Sequence, residues 1–198
     1  MNKLELLLRK YANNFLLFDD ITNNIKIEYL NFNNIIIVTD ENLIKTSSVN
    51  KVLNYLKNNF NTKIITLSSS EPNYEIIEST SKKIFKENYD LVIALGGGSI
   101  LDIVKSASMY ENSVENVDHF SGSRKQYKER LVKTLAIPTT AGTGSEYTHT
   151  TVYKTRLNIK NWIWDELTYY DYVIYFPFLT VDLPKDVTVA SGVDAFDH

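Results

Sequence analysis

The feature that most constrains this fold is a regular alternation of short apolar runs with segments of helical periodicity. Four apolar, β-branched runs have the length of buried strands and lie at 34–40, 63–68, 90–95 and 131–137. Apolar residues at helical spacing predict helices after the first three runs, at 49–60, 74–88 and 100–110. This alternation predicts an α/β fold with a parallel, doubly wound sheet, and ligands at the carboxyl ends of the strands.

The C-terminal part of the chain is less regular. The aromatic and polar segment 153–175 predicts one or two strands with a connecting loop. Pro184 indicates a helix entry, and a helix is expected over 187–198. We therefore expect an α/β domain at residues 1–184 and the start of a second domain at residues 185–198.

Three consecutive glycines, at 96–98, follow the predicted strand at 90–95 and precede a helix. Glycine lets the backbone approach a ligand closely, and the N–H groups and dipole at a helix start favour an anion such as pyrophosphate. The run differs from the G-x-G-x-x-G fingerprint because Leu101 stands where the third glycine would be. Ser99 and Asp102 also fit a capping box, so a tight turn before a well-capped helix is the alternative.

Polar residues follow the other predicted strands as well. Asp40 ends the first strand, where a carboxylate can accept a hydrogen bond from a ribose 2′-hydroxyl and repel a 2′-phosphate, but taken alone it indicates a turn or a cap. Asn73, taken alone, indicates an ordinary helix entry. The run PTTAGTGSE at 138–146 offers hydroxyl and amide donors to phosphate or ribose oxygens, with a capping loop as the alternative.

Two potential metal ligands lie at the end of the chain. Asp194 and His198 are four residues apart, so they share one face of the predicted helix and could form half of a divalent-metal site. A polar pair at this spacing is more often a solvated helix face. His119 and His149 are isolated and indicate surface or hydrogen-bonded loop residues. We therefore expect the front part of a longer metalloenzyme.

Composition excludes several classes of protein. The formal net charge of −3 gives no electrostatic attraction to nucleic acid or to an anionic membrane. The chain has no cysteine, which excludes disulfides and thiolate metal sites and fits a reducing cytoplasm. No window approaches about 18 uninterrupted apolar residues, so no membrane span is predicted, and the N-terminus lacks the long apolar region of a signal peptide.

Three motifs in this order resemble the iron-containing (group III) alcohol dehydrogenase family. They are GGGSILDIVK at 96–105, AIPTTAGTGSE at 136–146 and ASGVDAFDH at 190–198. The resemblance covers essentially the whole chain. It implies that 1–184 is a Rossmann-like, dinucleotide-binding domain. It also implies that 185–198 begins an all-helical domain, with metal and substrate in the cleft between the two.

The resemblance also implies roles for single residues. Gly97, Gly98 and Ser99 would hold the pyrophosphate, and Asp40 would hold the adenosine ribose and favour NAD over NADP. The other implied cofactor residues are Asn73, Asp102, Thr139, Thr140, Thr143, Lys160 and Leu179. Lys160 and Leu179 would lie near the nicotinamide end. Asp194 and His198 match the family's first two metal ligands, and its other two are histidines of the helical domain.

The implied activity is that of a metal-dependent, NAD(P)-linked alcohol dehydrogenase or aldehyde reductase, present here as an N-terminal fragment. Fe²⁺, with Zn²⁺ as the alternative, would act as a Lewis acid on a small alcohol or aldehyde. Hydride would pass between the substrate carbon and the nicotinamide. Family members reduce phosphonoacetaldehyde, lactaldehyde, butanal or glycerol-derived substrates, so the substrate stays open. The resemblance also implies a homodimer or a larger assembly.

Two other functions remain open from the sequence. One is a lyase of the dehydroquinate-synthase type, which uses NAD transiently, although PTTAGTGSE argues against it. The other is a non-catalytic, nucleotide-binding remnant, because two metal ligands alone should bind metal weakly. Because the other metal ligands are missing, we expect the isolated 198-residue chain to be inactive as a dehydrogenase, even with Fe²⁺ and NAD.

Overall fold

The computed structural model describes residues 15–17, 32–68, 71–109, 117–123 and 131–197. The first strands are β1 (Phe15–Leu17), β2 (Asn34–Asp40), β3 (Asn61–Leu67) and β4 (Leu91–Gly96). The later strands are β5 (Lys133–Pro138), β6 (Thr150–Lys154), β7 (Lys160–Trp164) and β8 (Tyr172–Tyr175). The α-helices are α1 (Ser47–Asn59), α2 (Tyr74–Ile84), α3 (Gly98–Met109) and α4 (Lys185–Asp197).

Six of these strands form one parallel sheet in the order β1-β8-β5-β4-β2-β3. Because β3 lies on one side of β2 and β4 on the other, the chain reverses its direction across the sheet between β3 and β4. The carboxyl ends of β2 and β4 therefore form the topological switch point, where open α/β sheets bind ligands. The predicted α/β fold with a parallel sheet is confirmed.

Both faces of the sheet are covered, as the unbroken apolar runs require. Ile35 and Ile37 pack with α1 on one face, whereas Ile36 and Val38 pack with α2 and α3 on the other. All four of these side chains are almost fully buried. A strand buried on both faces needs apolar residues at successive positions, which is why β2 and β4 show no alternation with polar residues.

The largest difference from the sequence prediction lies in the segment 150–175. It contains three strands rather than one or two: β6 and β7 pair in an antiparallel hairpin, and β8 joins the main sheet between β5 and β1. Asn158 takes up a left-handed conformation (φ 57°) in the hairpin loop. Asparagine tolerates this conformation better than most residues, and that local signal was missed.

Smaller corrections concern the ends of the helices. The second helix ends at Ile84 rather than near 88, and the third begins at Gly98 rather than near 100. One helix, α4, follows residue 184, and the part of the chain that the structure describes contains no further helical domain. The division at 184/185 therefore stays a prediction. No helix among the described residues is long and apolar enough to cross a membrane.

The hairpin is joined to the helical face by both packing and charge. Tyr153 is buried in the hairpin, and its hydroxyl donates a hydrogen bond to Oδ1 of Asp118 (3.0 Å). The Arg156 guanidinium pairs with Glu78 of α2 (2.6 Å) and lies 5.1 Å from the centre of the Tyr74 ring. These contacts hold the hairpin beside α2 and α3, where it borders the carboxyl edge of the sheet.

The central sheet should be far more sensitive to truncation than the hairpin loop. Ile93, in β4, has no exposed surface, so Ile93→Ala should cost about 2–5 kcal/mol of unfolding free energy. The same substitution at Ile159, which is 57% exposed, should cost less than about 0.5 kcal/mol. Chemical denaturation of both variants measures the difference. Equal losses would contradict this account of the core.

Candidate functional site

A cleft of about 570 Å³ lies where the turn after β4, the start of α3 and the β6–β7 hairpin meet. It is lined by Glu71, Pro72, Gly98, Ser99, Asp102, Thr143, Ser145, Thr148, Thr150, Val152 and Lys160. Five of the residues predicted from the sequence are therefore gathered in one place. These five are Gly98, Ser99, Asp102, Thr143 and Lys160. The cleft adjoins the switch point of the sheet, which is the expected position for a nucleotide site.

The glycine turn packs directly against the threonine-rich loop after β5. A Cβ on Gly98 would lie 2.7 Å from Oγ1 and Cγ2 of Thr143, and one on Gly97 would lie 3.3 Å from Oγ1 of Thr140. The N–H of Thr139 also donates to the carbonyl of Gly96 (3.1 Å). The two motifs therefore form one structural unit, and any side chain at position 98 would force Thr143 to move.

The start of α3 presents the features of an anion site. The helix begins at Gly98, so the N–H groups of its first turn have no partner within the helix, and its dipole favours negative charge there. The capping-box interpretation is wrong because Ser99 lies inside the first turn. The carboxylate of Asp102 instead accepts hydrogen bonds from the Val152 N–H (3.0 Å) and the Ser145 hydroxyl (2.5 Å).

Thr139 follows β5 directly and contacts the glycine turn through its backbone. Its side chain is buried, and its hydroxyl has no hydrogen-bond partner among the described residues. Several other buried hydroxyls of the described residues share this property, among them those of Thr39, Thr80 and Ser106, so the Thr139 hydroxyl does not by itself indicate a ligand.

The remaining predicted cofactor residues are not part of the cleft lining. Asp40 ends β2, and its Oδ1 accepts a hydrogen bond from the Asn42 N–H (2.7 Å), as a turn residue would. Asn73 caps α2, because its Oδ1 accepts a hydrogen bond from the Ile76 N–H (3.0 Å). Leu179 is buried on the α1 face of the sheet. Asp40 thus acts as a turn residue and Asn73 as a helix cap, as their sequence context alone indicated.

Lys105 is an important residue that the sequence analysis did not single out. Its side chain is fully buried, and Nζ donates to the Thr148 carbonyl (3.1 Å), the Thr148 hydroxyl (3.0 Å) and the Thr150 carbonyl (2.8 Å). Burial lowers the pKa of Lys105, whereas Asp102, 3.5 Å away, and Glu146 oppose this shift. The spacing of Asp102 and Lys105 on α3 was visible in the sequence, but nothing local indicated that the pair is buried.

A group of tyrosines adjoins these charges. The Tyr175 hydroxyl donates to the Glu146 carboxylate, and the rings of Tyr147 and Tyr175 stack 6.1 Å apart. Burial raises the pKa of Tyr147 to about 12, and burial together with Glu146 raises the pKa of Tyr175 further. Both phenols therefore stay neutral at physiological pH. Both contribute packing, and Tyr175 adds a hydrogen bond to Glu146, but neither contributes charge.

The outer rim of the cleft carries an exposed charge cluster. Glu71 lies 2.6 Å from Nζ of Lys154 and 3.8 Å from Nζ of Lys160, and its hydrogen bond to Lys154 lowers the pKa of its carboxyl group. All three side chains are well exposed, so these ion pairs add little to stability. Lys160 also lines the cleft and brings a positive charge to its rim.

The predicted metal ligands are only partly described. Asp194 lies in α4 next to the threonine-rich loop, because a Cβ on Gly142 would be 3.0 Å from its Oδ2. His198 lies outside the described residues. Within the described ranges, no group of three His, Cys, Asp or Glu side chains could hold a metal ion. These residues therefore do not form a metal site by themselves, and the Asp194–His198 pair stays a prediction.

Comparison with curated proteins places these motifs in a family context. Long-chain-alcohol dehydrogenase 1 of Geobacillus thermodenitrificans is 34% identical over 177 residues, which cover 87% of this chain and 44% of that relative. The mitochondrial hydroxyacid-oxoacid transhydrogenase of Xenopus laevis is 30% identical over 91% of this chain and 41% of that relative. The chain thus spans somewhat less than half the length of these two relatives.

The fold is shared with solved structures as well. The structure of sulfoacetaldehyde reductase from Bifidobacterium kashiwanohense in complex with NAD⁺ matches with a TM-score of 0.81 and 26% identity. The match covers 91% of this chain and 49% of that one. The family model for iron-containing alcohol dehydrogenases matches residues 12–177, which is most of the chain. On this match, the chain belongs to the iron-containing alcohol dehydrogenase family.

Proposed function

We propose that this chain is the dinucleotide-binding part of a metal-dependent, NAD(P)-linked alcohol dehydrogenase or aldehyde reductase. The observation that carries the proposal is the meeting of the glycine turn, the start of α3 and the threonine-rich loop at one cleft beside the switch point. This arrangement offers N–H groups, hydroxyls and a helix dipole to a pyrophosphate. The related sulfoacetaldehyde reductase was solved with NAD⁺, which supports the same cofactor here.

We assign different residues to the pyrophosphate, the adenosine and the nicotinamide parts of the dinucleotide. Gly97, Gly98 and Ser99 would hold the pyrophosphate at the start of α3, and Asp40 would accept a hydrogen bond from the adenosine ribose. A carboxylate at this position repels a 2′-phosphate, so NAD is preferred over NADP. The further proposed cofactor-binding residues are Asn73, Thr139, Thr140, Thr143, Lys160 and Leu179, and Asp102 is proposed to belong to the same site without touching the cofactor.

In the reaction, the bound nicotinamide supplies the hydride chemistry. The residues of this chain bind and orient the cofactor. The hydroxyls of the threonine-rich loop donate hydrogen bonds to its oxygens, and Lys160 provides a cation at the nicotinamide end. Holding the cofactor still is itself a large catalytic contribution, because it removes the entropy cost of bringing the reacting atoms together.

The metal and the substrate belong to the same proposal. Asp194 and His198 would contribute to a site for Fe²⁺, with Zn²⁺ as the alternative, in a helical domain that begins at residue 185. The substrate would be a small alcohol or aldehyde, and the assembly a homodimer. The names of the relatives include a long-chain-alcohol dehydrogenase, a sulfoacetaldehyde reductase and a hydroxyacid-oxoacid transhydrogenase. Because these names differ in substrate, the substrate of this chain stays open within the proposed reaction class.

Substitutions at two neighbouring carboxylates, Asp40 and Glu41, test the assignment of NAD as the cofactor. Asp40→Asn should weaken NAD⁺ binding about tenfold, because it removes a charge-assisted hydrogen bond, and should narrow the preference over NADP⁺. Glu41→Gln, the same change at an exposed neighbour, should alter neither affinity more than about twofold. Isothermal titration of both variants with both cofactors measures this. A wild-type chain that binds no NAD⁺ would refute the proposed function.

The glycine turn is tested by adding one methyl group. Gly98→Ala should destabilise the fold by about 1–3 kcal/mol and weaken NAD⁺ binding, because the new Cβ would meet Thr143 at 2.7 Å. Gly192→Ala, in α4, meets nothing within 4 Å and should be neutral or slightly stabilising. Thermal unfolding and NAD⁺ titration report the two effects. An unchanged Gly98→Ala variant would mean that the turn and the threonine-rich loop do not pack as described.

Cofactor binding and turnover should separate in this chain. The described residues hold no three-ligand metal group, so the purified 198-residue chain with Fe²⁺, NAD⁺ and short alcohols should form no NADH while it still binds NAD⁺. Absorbance of NADH measures turnover, and apo-protein without Fe²⁺ is the control. Metal-dependent NADH formation would contradict this prediction.

A further inference from the structure

The inner wall of the cleft is one continuous stretch of chain, residues 145–152, here called the wall segment. Four of its residues line the cleft: Ser145, Thr148, Thr150 and Val152. Only the last three positions, 150–152, belong to a strand, and that strand pairs with β7 rather than with the main sheet. The position of the wall segment against α3 therefore depends on side chains rather than on a sheet ladder.

Asp102 holds the two ends of the wall segment. Its Oδ1 accepts a hydrogen bond from the Ser145 hydroxyl at 2.5 Å, and its Oδ2 accepts one from the Val152 N–H at 3.0 Å. An ionised carboxylate has no hydrogen to donate, so it can only accept hydrogen bonds. Both oxygens of Asp102 already accept hydrogen bonds from the protein. Its negative charge would also repel a pyrophosphate. Direct contact with the cofactor is therefore not its best role.

Lys105 holds the middle of the same segment. The three donors of its ammonium group match three acceptors, namely the carbonyl and hydroxyl of Thr148 and the carbonyl of Thr150, at 2.8–3.1 Å. Its Nζ also lies 3.5 Å from Oδ1 of Asp102, one turn earlier on α3. A buried ammonium is tolerated when it is both paired and fully hydrogen-bonded, and Lys105 meets both conditions.

We propose that Asp102 and Lys105 form a buried clip that positions the wall segment for the nicotinamide half of the cofactor, with Asp102 acting through the wall rather than by touching the cofactor. The proposal rests on the proposed function. The hairpin register indicates which half of the cofactor the wall segment faces. In this register, Lys154 and Val152 of β6 pair with Lys160 and Trp162 of β7. The wall is thus continuous with the Lys160 end of the cleft, whereas Asp40 lies at the end of β2.

This geometry predicts that breaking the clip lowers the affinity only for ligands that contain the nicotinamide half of the cofactor. Lys105→Met keeps the length of the side chain but removes all three hydrogen bonds to the wall segment. NAD⁺ affinity should fall about tenfold or more, since bonds from a charged group are lost, whereas ADP, which lacks the nicotinamide half, should bind within about twofold of wild type. Lys63→Met, the same change at an exposed lysine of β3, should leave both affinities unchanged.

The experiment is isothermal titration of NAD⁺ and ADP into the 198-residue chain, with circular dichroism to establish that each variant is folded. If Lys105→Met fails to fold, Asp102→Asn carries the same comparison, because it preserves the shape of the side chain. Parallel losses of NAD⁺ and ADP affinity, or no loss of either, would overturn the clip and leave the proposed function intact. A wild-type chain that binds neither ligand would overturn both.

Discussion

The site depends above all on the contact between the glycine turn after β4 and the threonine-rich loop after β5. The two strands are neighbours in the sheet, so their carboxyl ends lie side by side and the loops that leave them must share one volume. Gly98 and Thr143 fit into this volume because Gly98 has no side chain. A Cβ at position 98 would lie only 2.7 Å from Oγ1 and Cγ2 of Thr143. The start of α3, and with it the proposed anion-binding end of the cleft, is positioned by this contact.

A second layer of organisation comes from buried charge. The Asp102–Lys105 pair lies on a helix whose other residues are mostly apolar and buried, and its hydrogen bonds go to the wall segment, whose strand pairs with β7 and not with the main sheet. Burying an ion pair costs desolvation energy that a hydrophobic pair would avoid. Such a pair gives a defined geometry instead, since the carboxylate and the ammonium group both hydrogen-bond to fixed positions of the wall segment.

Much of the fold was predictable because its signals are local. Apolar runs of strand length and apolar residues at helical spacing identified β2 to β5 and α1 to α3, and their alternation predicted the parallel sheet. One or two strands with a connecting loop were predicted for 153–175, but the pairing of β6 with β7 apart from the main sheet was not, because Tyr153 and Ile163 are buried against α3 and its surroundings rather than against a face visible in their own sequence. Helix ends were misplaced by a few residues because packing, and not propensity alone, decides where a helix stops.

The sequence by itself determined the fold class, the glycine and threonine motifs and the resemblance to the alcohol dehydrogenase family. All of these depend on residues close together in the chain. Only the tertiary structure decided what Asp102 and Lys105 do, because their hydrogen-bond partners in the wall segment lie 43 to 50 residues away. The capping box was a reasonable local interpretation of Asp102, but the distant Val152 and Ser145 compete for the same two oxygens. Where a polar side chain has both local and distant partners available, the packing of the whole fold selects between them.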